Sequence, residues 1–429
     1  MNAITSVRDR SIPAIYRQNF NHLIWDIAWF GVLNGSAIAF SAIFAVRQGA
    51  TGFQIGLLNA GPAIVNIAFA LPAGLWLKRR AIDRSVFFTA VSQRFFYLLF
   101  VFLPWLVSPR LQVWGLILFT LVMSIPGSAL AVGFNALFAG AVPNEWRGIV
   151  ASRRNAAFAL TSIGVSLFSG WLLNRLPFPV GYQVVFGIGF LGAVMSTVHL
   201  WFVHPHDETA VPSQSRVRHL AQPGSLRSGE GLHSSSGLRF LVRVQSLLQT
   251  IPPLKFRLLV LFFFIFHFTQ YLGIPLFPLF WVNVLDLSDQ TISLGNGLFY
   301  IALFVGSTQI GRLSSQWGYK KAMVIGIMMM SLYPALTAAT QTVPFFLFTS
   351  IVGGLAWSLV SGALGNYLLD EIPTDQRPGY LAWYNIALNA GILFGSLLGP
   401  LIADGWGLVM ALLITAVGRL LSSFIFWRY

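Results

Sequence analysis

Apolar runs close to 20 residues long recur from end to end of this chain, and they restrict its fold more than any other feature. About 20 helical residues, rising about 1.5 Å each, cross a hydrocarbon core. On that ruler twelve spans are expected, at 23–46, 54–77, 85–107, 112–142, 154–174 and 182–203, then at 257–282, 291–311, 322–340, 344–370, 379–403 and 408–427. Their length and continuity argue for helices, because a membrane barrel strand alternates in character over about ten residues. Only 9% of the 429 residues are charged and 56% are hydrophobic, too little polar surface to clothe a water-soluble core of this size. The expected fold class is an all-α polytopic membrane protein with twelve transmembrane helices.

One stretch interrupts the pattern. His204–Pro253 is polar, basic and Ser-rich, and it leaves six spans on each side. The expected division is a tail at 1–22, a first six-helix half at 23–203, a linker at 204–256 and a second six-helix half at 257–429. Within the linker, Phe240, Leu241, Val244, Leu247, Leu248 and Ile251 recur at helical spacing opposite Arg239 and Arg243. That pattern predicts an amphipathic helix over 238–251 lying on membrane lipids. The remainder of the linker, rich in Gly, Ser and Pro, reads as a flexible connection.

The placement of Lys and Arg sets an orientation. Arg8, Arg10, Arg17, the cluster Lys78, Arg79, Arg80 and Arg84, then Arg147, Arg153 and Arg154, the linker arginines, Arg312, Lys320, Lys321, Arg377 and Arg428 all fall on one side, whereas the other holds Arg47, Arg110 and Arg175. By the positive-inside rule both termini are expected in the cytoplasm and the protein in the plasma (inner) membrane. The apolar segment after Arg17 is too long for a signal-peptide core, so the first span is expected to be retained. A net charge of +14 then reflects loop bias, and no nucleic-acid partner is expected. With no cysteine, disulfides, thiolate metal sites and cysteine nucleophiles are excluded. His204, His206, Asp207 and Glu208 resemble metal ligands in composition only, and no metal site or cofactor is expected.

The halves repeat. Thr51-Gly-Phe-Gln-Ile and Gly74 recur 237 residues later as Ser288-Asp-Gln-Thr-Ile and Gly311; Pro143, Arg147 and Asn155 recur 230 residues later as Pro373, Arg377 and Asn385. Anchors in the same order at nearly one displacement indicate a duplicated unit.

Six spans, a long middle loop and six more spans, with short basic loops after spans 2 and 8, resemble the major facilitator superfamily of secondary transporters along essentially the whole chain. Gly311-Arg-Leu-Ser-Ser-Gln-Trp-Gly318-Tyr-Lys320-Lys321 is similar to that family's loop signature, Gly-x-Leu-x-Asp-Arg-x-Gly-Arg-Lys, except that Ser315 stands where the family has Asp. In the first half Gly74 is followed at the same spacing by Lys78 and Arg79. The resemblance implies two six-helix bundles, a cavity lined by spans 1, 4, 7 and 10, and a gate formed by Gly74, Lys78, Arg79, Arg147, Gly311, Arg312, Gly318, Lys320, Lys321 and Arg377. Gly391-x-x-x-Gly395-x-x-x-Gly399-Pro400 in span 11 resembles a motif that the family's antiporters carry in span 5; small residues at this spacing read first as helix packing.

Polar side chains inside spans each need a reason, because a mid-helix charge costs about 2.5–3.5 kcal/mol on insertion scales. Asp26 shares a face with Phe30 and Asn34; it either carries a coupled proton, holds a cationic substrate, or sits hydrated at the rim beside His22. His267, Gln270 and Tyr271 share a face of span 7 at i, i+3 and i+4. Together with Asn34, Trp357, Ser361 and Asn389 they are the candidate substrate contacts, and Asp26 and His267 the candidate proton carriers. Interhelical hydrogen bonding is the competing reading for each. Arg94 and Arg419, deep in spans 3 and 12, could each bind an anion or pair with a carboxylate; snorkelling toward the inner interface is the competing reading, and the structural one is preferred.

The function expected is secondary transport of a small organic solute, with or without a coupled ion, by a monomer. An internal ATPase is excluded, since no Gly-x-x-x-x-Gly-Lys-[Ser/Thr] sequence occurs. A membrane enzyme would cluster His, Asp or Glu at one interface, and no such cluster is present. A sensor or scaffold without transport is the remaining alternative.

Overall fold

The structure is a computed structural model that describes residues 14–77, 80–205, 253–373 and 377–429. Lys78, Arg79 and the amphipathic helix expected over 238–251 lie outside the described residues. The rest is built from helices alone. Span 1 runs as Ala14–Leu33, a π-helical turn Asn34–Ile38 and Ala39–Arg47; spans 2 to 6 are Gly52–Leu77, Ile82–Leu106, Pro109–Ala141, Asn144–Leu173 and Val180–Trp201. Span 7 is broken into Leu254–Gly273 and Leu276–Asn283 around Pro275, spans 8 and 9 share Asp289–Ala338, and spans 10 to 12 are Val343–Asp370, Arg377–Trp406 and Leu408–Arg428. Several helices exceed the expected spans at one end or both, because helical hydrogen bonding persists beyond the hydrocarbon core.

Local chemistry explains these boundaries. Thr51 and Gln54 form a reciprocal cap at the start of span 2: the Gln54 N–H donates to Thr51 Oγ1 at 3.3 Å and the Thr51 N–H to Gln54 Oε1 at 2.9 Å. At the equivalent start of span 8 the Thr291 N–H donates to Ser288 Oγ at 3.2 Å. The first repeat anchor is thus a helix N-cap, used twice. Prolines inside spans (Pro62, Pro72, Pro104, Pro126, Pro334, Pro400) are accommodated, as they are where neighbouring helices re-satisfy the backbone. Buried hydroxyls donate to carbonyls one turn back in their own helix, as Thr89 does to Ser85 and Ser124 to Thr120.

Within each half, small residues bring backbones together. Gly35 faces the Ser162 carbonyl of span 5, and Gly192 lies against the Trp29 and Leu33 backbone of span 1. In span 11, Gly391, Gly395 and Gly399 abut His267, Phe268, Tyr271 and Leu272 of span 7. The span 11 glycine motif therefore makes close packing against span 7.

Between the halves the two ends differ. On the side away from the chain ends, one apolar cluster joins Leu33, Phe44, Ile55 and Leu173 of the first half to Leu279, Val282, Ile292 and Phe346 of the second. On the side of the chain ends there are two separate clusters, one around Leu23, Val86, Trp146 and Leu200, the other around Phe263, Val324, Val360 and Tyr367. Gly170 and Gly297 pack across the halves against Ser293 and Leu167, and Gly52 and Gly56 against Pro400; at the opposite ends of these four spans, Gly74, Gly148, Gly311 and Gly379 face open space. The halves are fused at one end and diverge at the other.

The loop expected between spans 8 and 9 is not a separate loop. Helix continues from Asp289 through the signature residues, and the chain turns at Gly318 alone, with φ 77° and ψ 158°. That backbone region is essentially restricted to glycine and costs another residue about 1–3 kcal/mol. Gly318→Ala is expected to lower the unfolding midpoint in detergent, whereas Gly311→Ala, with open space around it and helical φ, leaves it unchanged or raises it slightly. Equal midpoints for the two variants would contradict this assignment.

Candidate functional site

Asp26 is buried, 3% exposed, so its carboxylate is not hydrated at the rim. It is held from three helices. Ser196 of span 6 donates to Oδ1 at 2.5 Å; Arg94 Nη2 of span 3 lies 3.8 Å from Oδ1, and Arg154 Nη2 of span 5 lies 3.6 Å from Oδ2. Arg94 also donates to Thr197 Oγ1 at 2.7 Å. The Arg154 guanidinium stands over the rings of Phe134 and Phe138 in span 4, at 4.5 and 5.5 Å. Opposite charges this deep in lipid persist only as partners. Arg154 had been grouped with the loop charges; because span 5 begins at Asn144, about three turns of helix separate it from the end, and it is 8% exposed. Near the same end, His22 and His199 place their Nδ1 atoms 3.0 Å apart.

The second half carries a different polar set. His267 is buried, and its Nε2 is 3.1 Å from the Tyr384 hydroxyl of span 11. One turn on, Gln270 and Tyr271 are half-buried, and Gln270 Oε1 has no hydrogen-bond partner among the described residues. Trp357 is half-buried beside the second half's apolar cluster; Ser361 is exposed; the Asn389 amide donates to the Asn385 carbonyl of its own helix at 2.8 Å. Asn34 opens the π-helical turn of span 1, and its amide donates to Ser162 Oγ at 3.3 Å. A π turn widens the helix and is frequent at functional sites. No hydrogen bond among the described residues joins Asn34 to His267, Gln270 or Tyr271; they stand on separate halves. Arg419, 1% exposed, is paired with no carboxylate among the described residues: it donates to the carbonyls of Met330 at 3.1 Å and Gln270 at 3.0 Å, tying spans 9 and 7 to span 12.

Of the gate residues implied by the loop signature, Gly74 and Gly311 face open space, Gly318 makes the turn, and Arg312, Lys321 and Arg377 are exposed. Lys320 Nζ stands 5.7 Å from the Tyr429 ring. Arg147 closes the end of span 4, donating from Nε to the Val142 carbonyl at 3.0 Å and from Nη2 to the Ala139 carbonyl at 2.5 Å. On this face the ion pairs among the described residues, Lys255–Glu371 at 3.1 Å and His204–Asp83 at 3.1 Å, each stay inside one half.

A pairing that does cross between the halves lies at the fused end. Arg47 of span 1 donates to the Leu287 carbonyl at 2.5 Å and is 3.2 Å from Asp289 Oδ1, while the Tyr182 hydroxyl of span 6 donates to Asp289 Oδ2 at 2.8 Å. Two helices of the first half thus hold the start of span 8. The sequence does not reveal this latch, and it places Arg154 among the loop charges rather than beside Asp26. The usable signal was that Asp289 directly follows an N-cap, where a carboxylate is favoured and fixed in place.

The Asp26 cluster generates a stability expectation. Asp26→Asn leaves two buried guanidinium groups without a counter-charge, a loss of about 3–5 kcal/mol for breaking a buried pair. The unfolding midpoint in detergent should fall markedly, and adding Arg94→Met should restore part of it. An unchanged midpoint for Asp26→Asn would show that the cluster is hydrated rather than buried.

The family model described as the Major Facilitator Superfamily matches residues 27–288 and 259–429. Multidrug resistance protein 2 of Bacillus subtilis (strain 168) is 26% identical over 160 residues, which take in 36% of this chain and 40% of that relative. The chain thus matches less than half the length of that curated relative. Among solved structures, the inward open conformation of the xylose transporter XylE from E. coli superposes with a TM-score of 0.67 at 16% identity, covering 97% of this chain and 96% of that one. A bacterial homologue of the human lysosomal transporter Spinster, inward-facing and unoccupied, gives 0.67 at 13% identity and 97% of each chain. At such identities the likeness is one of fold, and it agrees with two six-helix halves. A family match over nearly the whole chain, on twelve spans with a duplicated pattern, places this multi-pass membrane protein in the Major Facilitator Superfamily.

Proposed function

We propose that the chain is a secondary carrier that moves a small organic solute by alternating access, the two halves rocking about a site between them. The observation that carries this reading is the contrast between the ends: an apolar cluster shared by both halves and the Arg47–Asp289–Tyr182 latch at one, a separate cluster within each half at the other. By the positive-inside rule the basic loops support a cytoplasmic open end, with the carrier in the plasma membrane. The solute contacts proposed are Asn34 from the first half and His267, Gln270, Tyr271, Trp357, Ser361 and Asn389 from the second. Gln270, with its unpartnered carbonyl oxygen, has a free acceptor for a solute donor. Coupling to a proton would use Asp26 or His267. Each has a polar partner that can respond to a change of protonation, Ser196 and two arginines for Asp26 and Tyr384 for His267. The names of the relatives point to drugs and to sugars, which do not agree with one another, so the solute class is left to the chemistry of the site.

The test is flux into liposomes containing the purified protein, using labelled sugars, organic acids, amines and lipophilic cations, with and without a pH gradient. Because this sequence has no cysteine, a Leu167→Cys, Gly297→Cys pair, at positions that pack against each other across the halves, introduces one defined disulfide at the fused end. Flux of at least one solute is expected, abolished by oxidation of that pair and restored by reduction. Flux that is indifferent to the cross-link would refute rocking about this end, and no flux of any solute from folded protein would favour the sensor reading.

A further inference from the structure

We propose that the cluster around Asp26 is a binding site for the anionic group of the substrate, a carboxylate, sulfonate or phosphate, and that Arg154 makes the contact by exchanging Asp26 for that anion when Asp26 takes up a proton. The proposal rests on the transport reading above and narrows its solute class.

The first support is charge balance. Asp26 lies deep within the spans, and the other described carboxylates stand at span ends or in loops, whereas Arg94, Arg154 and Arg419 are buried. Around Asp26 two guanidinium groups face one carboxylate, an excess of one positive charge where an uncompensated charge is costly. Second, the arginines are not saturated. Their distances to Asp26, 3.6 and 3.8 Å, exceed the roughly 2.7–2.9 Å of a charge-assisted hydrogen bond. Arg154 Nη1 and Arg94 Nε are buried without hydrogen-bond partners. Third, Arg154 is the more accessible of the two arginines. Its side chain keeps 9% exposure, its neighbours Ser152, Arg153 and Asn155 are exposed, and it carries two phenyl rings against its face, an apolar surface for the body of an organic anion.

The same arrangement links the anion to a proton. Around Asp26 the charged and titratable groups are Arg94 and Tyr97 from span 3, Arg154 from span 5, His199 from span 6 and, on its own span, His22. A proton added to the Asp26 carboxylate leaves it neutral and raises the cluster's excess to two positive charges; an anion then lowers it to one again. Proton and anion binding therefore strengthen each other by the same factor, and the pair moves without net charge. A cation is repelled in both states. The sign follows: the anion binds more tightly as pH falls.

Thermal stabilisation of the purified full chain tests this without knowledge of the natural substrate. The probes share a ring: benzenesulfonate, benzoate and phenyl phosphate as anions, benzenesulfonamide as the neutral form and benzyltrimethylammonium as the cation. At least one anion is expected to raise the unfolding midpoint, the neutral and cationic probes not to. Benzenesulfonate keeps its charge at pH 5.5 and 7.5, so any difference in its binding between them reports the protein, and tighter binding at pH 5.5 is expected. Arg154→Gln should weaken the anion roughly tenfold or more, the loss of a charge-assisted contact; Arg154→Lys should retain part of it, and Arg153→Gln all of it. Should Arg154→Gln not fold, the comparison of Arg154→Lys with Arg153→Gln still decides, and the pH dependence is read again in a His22→Gln, His199→Gln variant, where it should persist. Stabilisation by the cation, by no anion, or by an anion equally in wild type and the Arg154 variants would overturn the proposal. Anion stabilisation without flux would overturn the transport reading and leave the site standing; flux of a cation with no anion stabilisation would do the reverse.

Discussion

Lipid offers no hydrogen bonds, and most of this structure follows from having to satisfy polar groups from within. The backbone does so by remaining helical, even through the loop signature, where helix continues up to a turn at Gly318. Hydroxyls do so by donating to carbonyls of their own turn. Since lipid tails are as apolar as the side chains, association between helices depends on close packing. Glycines supply it, between spans 1 and 5, spans 1 and 6, and spans 7 and 11, and again across the halves.

Charges obey the same constraint with less room to manoeuvre. Asp26 is shared by two arginines, Arg419 leans on backbone carbonyls, and Arg47 spans the halves to Asp289. The duplicated halves part company here. Asp26 and Arg154 occupy positions whose repeat equivalents are Phe263 and Tyr384, so the first half holds an ionic contact where the second holds an aromatic one, with His267 bonded to Tyr384 one turn away. At these positions one half thus carries a buried ionic contact and the other a buried aromatic one.

Much of the fold was legible because its signals are local. Span length and the Thr51 and Ser288 stretches that open spans 2 and 8 are properties of short segments. The site was less legible. Periodicity puts Asp26, Phe30 and Asn34 on one face but does not say which neighbour that face meets, and the partners of Asp26 come from positions 94, 154 and 196. Arg154 was misplaced because apolar runs mark where lipid begins, not where helix begins; span 5 starts ten residues before the expected 154, at Asn144. The latch joins positions 47, 182 and 289 and carries no local pattern at all. His267 and Tyr384 were each visible as polar residues in lipid, and their contact needed the tertiary fold.

The central claim is that the halves pivot about the end held by Arg47, Asp289 and Tyr182, and paired spin labels measure it directly. One pair, Ser152→Cys with Thr308→Cys, bridges the open end; the other, Asn174→Cys with Val284→Cys, bridges the fused end. Weakening the latch with Arg47→Gln should shorten the first distance and lengthen the second together, as the populations shift between two arrangements. Distances that stay fixed at both ends, or that lengthen at both, would contradict a rocking carrier.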